Sequence, residues 1–372
     1  MRILHLANHC DEVGNGIMNV AVDVACRQAD LGHRLAFASA GGAYVELLRR
    51  YQVEHFLIPQ PWRRPLKLTA GAFALRRLIR QFTPDIVHAH MMTGAVLARL
   101  VRGAARYGLV TTVHNEWQRS AVLMGVGDRV IAVSEQVRDQ MQRRGIPARK
   151  LGVVRNATLG SPRRPPLPAS VGQPLLQRPA LVSIAGMFFR KGVAELIEAF
   201  ATIVSERHTD AILYLIGDGP DRPAFEKLAS SYRVRDRIRF VGFVRDPRPY
   251  LAEADVFVLA SRADPSPLVI PEAREAGCAI VATAVGGIPE ALENGEAGIL
   301  VPPHDSQSLA AAIDRLLAHP EQRAEWQRRS RSNLGWLHLD RAVDETLAIY
   351  DEARKCQSRL AANASGGEPE WR

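Results

Sequence analysis

The stretch 254–284, "ADVFVLASRADPSPLVIPEAREAGCAIVATA", decides the fold because it holds two apolar runs with a loop and a helix between them. The runs at 254–260 and 279–284 are typical of strands that are buried on both faces of a parallel sheet. Three prolines between them exclude a regular helix or a central strand until the last, Pro271, has passed. Because Pro271 suits the first turn of a helix, the stretch predicts a strand, a stiff loop, a helix and a second strand.

The same alternation of apolar runs and helical patterns continues through both halves of the chain. Further strands are predicted at 3–7, 35–40, 85–90, 109–114 and 129–134 in the first half, and at 180–186, 211–217, 237–242 and 298–301 in the second. Helical patterns lie between them, for example at 17–30, 94–106 and 135–144. Strands that alternate with helices form parallel sheets covered on both faces. The predicted fold class is therefore α/β, with two doubly wound, Rossmann-like domains that face each other across a cleft.

A segment rich in proline, glycine and serine, "LGSPRRPPLPASVGQPLLQRP" at 159–179, separates the two halves. Such composition with little periodicity is typical of a linker between domains. The domain boundaries follow from it. We predict an N-terminal domain over 1–160, a linker over 161–178, a second domain over 179–337, a closing amphipathic helix over 338–358 that is able to pack back on the first domain, and a disordered tail over 359–372.

The composition is that of a globular protein with enough apolar material for two cores. The chain has 372 residues, of which 47% are hydrophobic and 23% charged. No apolar run reaches the roughly 18 residues of a transmembrane helix, and the start "MRILHLANHCDEVG" has neither the apolar core nor the cleavage site of a signal peptide. The four cysteines are scattered, which predicts neither a disulfide framework nor a zinc site. We expect a cytoplasmic enzyme.

The formal net charge is +9, and arginine supplies nearly all of the positive charge. A basic surface can serve nucleic acid, anionic lipid or phosphorylated small molecules. The chain has no zinc-finger spacing, no RNA-recognition signature and no aromatic-rich basic stripe, so we do not expect a nucleic-acid partner.

The most basic segment is 61–82, "PWRRPLKLTAGAFALRRLIRQF", in which apolar and basic residues recur at helical spacing. The apolar positions are Leu75, Leu78, Ile79 and Phe82, and Arg76, Arg77 and Arg80 stand beside them. Two interpretations remain open. The segment is a crossover helix with one solvated face, or it is a helix that contacts an anionic membrane surface.

Two cations stand where a strand gives way to a helix in "AGMFFRKGVAELIEAF", 185–200. The predicted strand ends at Gly186, and Arg190 and Lys191 lie at the start of the next helix. Free N–H groups at a helix N-terminus, flanked by cations, form a binding site for anions such as phosphate. The alternative is a solvated loop with two surface charges, and we favour the anion site because position and charge agree.

Two carboxylates, Asp264 and Glu272, bracket the proline-rich loop of 254–284 eight positions apart. Both lie at the carboxyl edge of the predicted sheet, where open α/β sheets bind their ligands. Carboxylates so placed can accept hydrogen bonds from pairs of sugar hydroxyl groups. A general acid and base pair would need one raised pKa, which nothing in this polar loop provides. The sequence therefore predicts recognition of sugar hydroxyl groups.

Two glycine-rich turns and a set of histidines are candidate sites for a cofactor or a metal. The turns "EVGNGIMNV" at 12–20 and "LIGDGPDR" at 215–222 lack the third glycine of a dinucleotide fingerprint, so we do not expect bound NAD. His88, His90 and His114 follow neighbouring strands and raise the possibility of a metal site. Without a helical HExxH pattern or clustered carboxylates, we favour packed histidines over metal ligands.

These motifs together resemble family 4 of the retaining glycosyltransferases, which have the GT-B fold. The resemblance covers nearly the whole chain, in order. It rests on "GNGIMNVAVDVACRQADLGHRL" from residue 14, "DIVHAH" from 85, "TTVHNEW" from 111, "FRKGVAELIEAF" from 189, and "PLVIPEAREAGCAIVATAVGGIPE" from 267. The pair of acids with "GGIPE" downstream is the most specific of these.

The resemblance implies roles for individual residues. Lys191, with Arg190, would hold the donor diphosphate, Glu272 would bind the nucleotide ribose, and Asp264 would contact the transferred sugar. His114 would lie near the sugar and the reacting centre, so that His114, Asp264 and Lys191 form the implied catalytic set. The implied donor site is completed by the loop of Gly14, Asn15 and Gly16, by the amides of Leu268 and Val269, and by Val244 near the base.

The chain departs from the family pattern at three places. The first acid of the pair is Asp264 rather than the usual glutamate, which is one methylene longer. Gly186 stands five residues before Lys191, where the family usually has an arginine, and Arg190 is a candidate to replace it. Asn156 is followed by alanine rather than glycine.

The resemblance implies a retaining hexosyltransferase that uses a nucleotide-diphosphate sugar, UDP- or GDP-linked. Its acceptor would be a glycan or a lipid-linked precursor in bacterial cell-surface polysaccharide biosynthesis, of lipopolysaccharide or exopolysaccharide. We expect no metal and no other cofactor, because the chain has no DxD motif. The expected location is the cytoplasm, with peripheral attachment to the inner face of the plasma membrane through 61–82. The alternatives are a nucleotide-sugar-binding protein without catalysis and a nucleotide-sugar epimerase with the GT-B fold.

Overall fold

A computed structural model describes the chain except for Val13, Asn15, 61–64, Glu116, 165–175, 208–209 and 366–372. The chain forms two compact units. The first comprises Met1–Asn156, Ser161–Arg163 and Leu339–Arg372, and the second comprises Ala157–Gly160 and Arg164–His338.

In its described residues, the first unit holds a seven-stranded parallel sheet in the order β3-β2-β1-β4-β5-β6-β7. The strands are β1 Arg2–Leu6, β2 Arg34–Ser39, β3 Glu54–Leu57, β4 Ile86–Ala89, β5 Gly108–Val113, β6 Arg129–Ala132 and β7 Leu151–Val153. The helices are α1 Gly16–Asp30, α2 Val45–Arg50, α3 Pro65–Phe82, α4 Met92–Val101 and α5 Glu135–Arg143, with 3₁₀ turns at Arg119–Val126 and Ala148–Lys150.

The second unit holds a six-stranded parallel sheet in its described residues, in the order β10-β9-β8-β11-β12-β13. Its strands are β8 Ala180–Ile184, β9 Ile212–Ile216, β10 Ile238–Gly242, β11 Val256–Leu259, β12 Ala279–Thr283 and β13 Ile299–Val301. The helices are α6 Val193–Arg207, α7 Arg222–Ser231, α8 Arg248–Glu253, α9 Val269–Ala276, α10 Ile288–Ala291, α11 Ser306–Ala318 and α12 Pro320–Ser330. Short 3₁₀ turns lie at Phe189–Lys191, Arg235–Arg237, Glu293–Gly295 and Leu334–Leu337.

The last helix, α13 Leu339–Ser365, belongs to the first unit. Its Leu339 and Val343 pack against Val24 of α1, and Tyr350 is fully buried. The helix continues past its predicted end at residue 358, because "RLAANAS" at 359–365 consists mostly of good helix formers. The predicted tail beyond Ser365 lies outside the described residues.

The predicted strands of both halves are present within one or two residues of their expected ends. Two strands, β3 and β7, were not predicted. Each is an edge strand of three or four residues without a fully buried position, so its sequence lacks the apolar run by which the others were recognised. The predicted helix 94–106 ends early, at Val101, because Gly103 takes a positive φ of 51° that a helix does not allow.

The basic segment 61–82 folds as α3, and its first four residues lie outside the described residues. The apolar residues Leu75, Leu78, Ile79 and Phe82 are buried in the core of the first unit. These four side chains therefore pack within the protein, as a crossover helix requires. The opposite face carries Phe73, Arg76, Arg77 and Arg80, which are all exposed. Of the helices that the structure describes, none has both the length and the apolar character needed to span a bilayer.

The helix that carries Glu272, α9, is fixed by one buried side chain. Arg274 is fully buried, and its guanidinium donates hydrogen bonds to the carbonyl oxygens of Ser330 (3.0 Å), Ala291 (2.9 Å) and Ser332 (2.7 Å). It also pairs with the carboxylate of Glu293 at 2.7 Å. A buried charge is tolerated only when its donors are satisfied, and here the donors join α9 to the C-terminal ends of α10 and α12 and to the residues just after them.

We predict that Arg274→Met lowers the free energy of unfolding of the second unit by about 3–5 kcal/mol, because it leaves buried carbonyl oxygens without donors. Urea unfolding measures this loss. The matched control is Arg331→Met, which removes an exposed guanidinium that bonds only the Ala276 carbonyl among the described residues. The control should cost less than about 1 kcal/mol, and equal losses from both variants would contradict the assignment.

Candidate functional site

The residues predicted to bind anions and sugars lie where the strand order of the second sheet reverses. The chain runs from β8 outward to β9 and β10, then returns to the other side of β8 to form β11, β12 and β13. Open α/β sheets bind ligands beyond the carboxyl ends of the strands at such a switch point. Three loops meet there, at 185–192, 260–268 and 284–287, and we call them the switch-point loops.

Lys191 and Asp264, predicted from different motifs, form an ion pair between two of these loops. The Nζ atom of Lys191 lies 2.5 Å from Oδ2 of Asp264, which also accepts a longer hydrogen bond from the Ser261 hydroxyl at 3.4 Å. The Asp264 side chain is 6% exposed and that of Lys191 is 15% exposed. The pair is therefore largely shielded from water, which strengthens it relative to a surface ion pair.

Two glycines allow these loops to approach so closely. Gly192 ends the turn that carries Lys191, with φ 65°, and a Cβ atom there would lie 1.8 Å from the carbonyl oxygen of Ala260. Gly286 has φ 60°, and a Cβ atom there would lie 1.7 Å from the carbonyl oxygen of Asp264. The Gly287 N–H donates to that same oxygen at 3.1 Å. Any side chain at either glycine would push Asp264 away from Lys191.

The structure also accounts for Gly186, where the family usually has arginine. The ring of Phe188 fills the space beside it, and a Cβ atom at 186 would lie 2.9 Å from that ring. On the ring lies the guanidinium of Arg190, 5.3 Å from its centroid, in a cation–π contact. The Arg190 carbonyl accepts the Arg262 N–H at 2.9 Å. An exposed cation, Arg190, is thus held on the ring that fills the space beside Gly186.

Glu272 lies in the first turn of α9 and forms an ion pair with Arg164. Both side chains are nearly buried, 11% and 12% exposed, and Arg164 also reaches Glu275 at 3.2 Å. Arg164 was not predicted as a site residue. Its place between prolines in "SPRRPP" gave only a linker signal, and its partners lie more than 100 residues further along the chain.

The neighbouring residue, Arg163, belongs to the first unit, where it binds Asp23 at 2.8 Å. The Ser161 hydroxyl donates to the same carboxylate, also at 2.8 Å. The beginning of the predicted linker is therefore anchored on the first unit. Most of the remainder, 165–175, lies outside the described residues.

The other predicted donor-binding residues are distributed over both units. Leu268 directly precedes α9 and Val269 is the first residue of that helix, while Val244 lies half-buried just after β10. Gly14 and Gly16 lie at the start of α1 in the first unit, and Asn15 lies outside the described residues. Their roles as donor contacts stay predictions.

His114 follows the last residue of β5, at the carboxyl edge of the first sheet. Its Nε2 atom lies 3.3 Å from Nδ1 of His90, whose Nε2 lies 2.9 Å from Nδ1 of His5. His5 in turn bonds Oε1 of Gln28 at 2.9 Å through its own Nε2. Neither His5 nor Gln28 was predicted as part of the site, since each sits within an ordinary strand or helix pattern.

In the described structure, the metal interpretation gains one further histidine, His5. His5, His88 and His90 offer ring nitrogens that lie within 4.8 Å of one another. In the described structure, however, Nδ1 of His88 bonds the Tyr350 hydroxyl (2.6 Å), and its Nε2 bonds the Thr112 hydroxyl (2.7 Å). All six ring nitrogens of His5, His88 and His90 thus have hydrogen-bond partners within the protein.

Burial keeps these rings neutral. It lowers the pKa of His5 to about 4, against a smaller opposing effect of its bond to Gln28, and lowers the pKa of His114 to about 3. It also lowers the pKa of His88 and His90 well below the usual value, and the neighbouring histidines add to the effect.

Two family models match this chain. Residues 14–158 match the model of "Glycosyltransferase Family 4", and residues 178–319 match "Glycosyl transferases group 1". Among curated proteins, the chain is similar to the lipopolysaccharide core biosynthesis glycosyltransferase LpsE of Rhizobium meliloti, at 35% identity over 156 residues, 42% of this chain and 44% of that protein. The chain spans about half the length of such curated relatives.

Solved structures resemble the chain along most of its length. A glycosyltransferase from Rickettsia africae aligns with a TM-score of 0.81 and 21% identity, over 95% of this chain and 98% of that one. The Anabaena protein Alr3699/HepE in complex with UDP-glucose aligns with a TM-score of 0.76 and 18% identity, over 96% and 100%. These likenesses confirm the predicted fold class, two Rossmann-like α/β domains of the GT-B type.

We predict that stability falls steeply as the pH drops below about 6.5, the ordinary histidine pKa. The buried histidines stay neutral in the folded state and take up protons only when the protein unfolds. Each one therefore removes about 1.4 kcal/mol of stability per pH unit between 6.5 and its lowered folded pKa. Urea unfolding at pH 7.5, 6.5, 6.0 and 5.5 measures the slope.

In the same series, His90→Gln should reduce the slope of the free energy of unfolding against pH by the amount that corresponds to one proton. The exposed His319, replaced by Gln, serves as a control that should leave it nearly unchanged. A wild-type slope that corresponds to one proton or fewer would contradict a neutral cluster.

Proposed function

Because the chain belongs to the group 1 and family 4 glycosyltransferases, we propose that it transfers a hexose from a nucleotide-diphosphate sugar to a glycan or lipid-linked acceptor. The observation that carries this proposal is the ion pair of Lys191 and Asp264 at the switch point, with Glu272 at the start of the next helix. A cation for phosphate and two acids for hydroxyl groups are the donors and acceptors that a nucleotide sugar needs.

In the proposed reaction, the glycosidic bond breaks and the leaving diphosphate gathers negative charge. Lys191 and Arg190 supply fixed positive charge next to the N-terminus of α6, and such preorganised charge stabilises the transition state. In other transferases a divalent cation stabilises the charge on the leaving diphosphate. Here the fixed cations take that role, so we propose that the reaction needs no metal.

The two acids have different tasks in this proposal. Glu272 accepts hydrogen bonds from the ribose hydroxyl groups, with Arg164 beside it as a counter-charge. Asp264 contacts the transferred sugar, and its pairing with Lys191 holds the carboxylate in one orientation. The shorter aspartate therefore starts from a fixed position, which supports its use in place of glutamate.

We further propose that the configuration at the anomeric carbon is retained, by attack of the acceptor hydroxyl on the face that the leaving phosphate vacates, with the leaving phosphate taking up the hydroxyl proton. The likeness to LpsE, a lipopolysaccharide core biosynthesis glycosyltransferase, supports an acceptor in bacterial cell-surface polysaccharide synthesis. The complex of Alr3699/HepE with UDP-glucose supports a UDP-linked hexose as the first donor to test.

We propose that the enzyme acts at an anionic membrane surface. On α3, Phe73, Arg76, Arg77 and Arg80 share one face at helical spacing and are all exposed, with Phe73 at 74%. A basic face with an exposed aromatic residue is typical of helices that lie on anionic lipid. The buried apolar face of α3 has no part in this contact.

We predict that one nucleotide sugar, from a panel of UDP-, GDP-, ADP- and dTDP-sugars, raises the melting temperature in the presence of EDTA. Glu272→Ala should weaken that binding about 10–100-fold, because hydrogen bonds to a carboxylate are lost. Asp264→Ala should keep the binding but lower turnover about 100-fold. Thermal shift and product formation are the measurements.

The matched control is Glu275→Ala on the same helix, which removes the second partner of Arg164 but not the proposed ribose contact. It should bind the donor as wild type does. Small, equal effects of Glu272→Ala and Asp264→Ala would overturn the assignment. Binding without turnover would favour a binding protein, and NMR of the product's anomeric signal tests retention.

We predict that the protein binds vesicles of equal parts phosphatidylglycerol and phosphatidylcholine, but not pure phosphatidylcholine. Replacing Arg76, Arg77 and Arg80 by Gln should weaken binding about 100-fold, at about 1 kcal/mol per arginine. A control with the same net charge replaces Arg49, Arg50 and Arg143, which are exposed elsewhere on the first unit. Vesicle sedimentation measures the binding, and an equal loss of binding in both variants would contradict a membrane-contact site on α3.

A further inference from the structure

The histidine at the edge of the first sheet is the end of a buried hydrogen-bonded chain. The chain runs from Gln28 on α1 through His5 on β1 and His90 after β4 to His114 after β5. Its inner members are almost completely buried, with Gln28 and His5 at 0% and His90 at 3% exposure. Buried polar groups are costly unless they are bonded, so a chain of this length has a structural or functional reason.

The strand register brings the members of the chain together. β1 and β4 pair in parallel, and His5 lies opposite His88. His90 is two residues further along, so its side chain lies on the same face of the sheet. That face is covered by α1, which supplies Gln28, and by α13, which supplies Tyr350.

One hydrogen per neutral ring, together with the orientation of the Gln28 amide, sets the direction of every bond in the chain. A neutral imidazole carries one N–H, so one of its nitrogens donates and the other accepts. Gln28 presents its amide oxygen to His5, so Nε2 of His5 must donate and Nδ1 of His5 must accept. Nε2 of His90 then donates to His5, and Nδ1 of His90 accepts from Nε2 of His114.

His114 therefore carries its hydrogen on Nε2, which leaves a lone pair on Nδ1. Among the described residues, Nδ1 of His114 has no hydrogen-bond partner. The lowered pKa values of the chain agree with neutral rings throughout.

We propose that Gln28, His5 and His90 are positioning residues that fix His114 as a hydrogen-bond acceptor through Nδ1, so that it recognises a sugar hydroxyl group. The sugar in this statement rests on the proposed function, whereas the fixed tautomer does not. A neutral acceptor suits a hydroxyl group and not a phosphate, which has no hydrogen to donate when ionised. His114 thus contributes to the choice of sugar rather than to the binding of the diphosphate.

The chain orients His114 but does not carry protons away from it. Its inner end is the amide of Gln28, which accepts a hydrogen bond but does not take up a proton and pass it on. His88 provides no branch along which a proton could leave the chain, because its two ring nitrogens bond Tyr350 and Thr112. A proton moved inward from His114 would have to remain as a charge within the core, which burial disfavours.

The direct test is ¹⁵N NMR of the full-length protein labelled at histidine, with the signals of His114 identified by their loss in His114→Gln. We expect Nε2 of His114 to be the protonated nitrogen and Nδ1 the unprotonated one at neutral pH. Protonation on Nδ1 in the wild-type protein would overturn the proposal. This measurement needs no donor, so its result is independent of the proposed function.

A variant shows whether the chain causes the tautomer. Gln28→Met has a similar length but replaces the amide oxygen with a thioether sulfur that accepts hydrogen bonds only weakly, so the His114 signals should shift toward a mixture of both tautomers. Gln142→Met, an exposed change on α5, should leave them unchanged. Unchanged His114 signals in a folded Gln28→Met protein would overturn the positioning role, and if that variant does not fold, the wild-type tautomer still decides the direction of the chain.

Sugar analogues test the consequence for recognition. For the hydroxyl group that contacts His114, replacement by hydrogen and by fluorine should each weaken donor binding about tenfold, because fluorine cannot donate a hydrogen bond. Neither replacement should matter in His114→Ala. If fluorine is tolerated where hydrogen is not, His114 donates, and the proposal is wrong. If no nucleotide sugar binds at all, the proposed function fails while the NMR result stands.

Discussion

The site of the second unit depends on the close packing of two backbone turns against the segment that leaves β11. Gly192 meets the carbonyl of Ala260 and Gly286 meets the carbonyl of Asp264, at distances that leave no space for a side chain. This packing brings Lys191 within 2.5 Å of Asp264. The charged groups are therefore positioned by main-chain contacts, which are stiffer than contacts between long side chains.

The candidate residues of the two units differ in their chemistry. The second unit presents fixed charges, Lys191, Asp264 and Glu272, each beside a charged partner. The first unit presents a neutral imidazole at the end of a chain of neutral groups. Fixed charges attract ionised groups such as phosphates, whereas a neutral imidazole forms hydrogen bonds with uncharged groups such as hydroxyls.

The resemblance to glycosyltransferase family 4 and the α/β fold were predictable from the sequence and are confirmed. Buried parallel strands and prolines leave strong local signals, and these placed Lys191 and Asp264 at the carboxyl ends of strands. The edge strands β3 and β7 are too short and too exposed to leave such a signal. Contacts between distant residues were equally hidden. The bonds of His5 to Gln28, of Arg164 to Glu272 and of Arg274 to Ser330 depend on register and helix packing, which no local pattern encodes.

Because arginine supplies nearly all of the positive charge, the cation of the ion pair at the switch point, Lys191, is one of few lysines in the chain. The chain has five lysines, Lys67, Lys150, Lys191, Lys227 and Lys355, against a total of 48 lysines and arginines. Guanidinium groups keep their charge at every physiological pH and resist amine-directed reagents, whereas an ε-amino group can be methylated or acylated. Reductive methylation with ¹³C would therefore give a spectrum of only these five side chains and the N-terminus. One of those signals reports directly on the contact between Lys191 and Asp264.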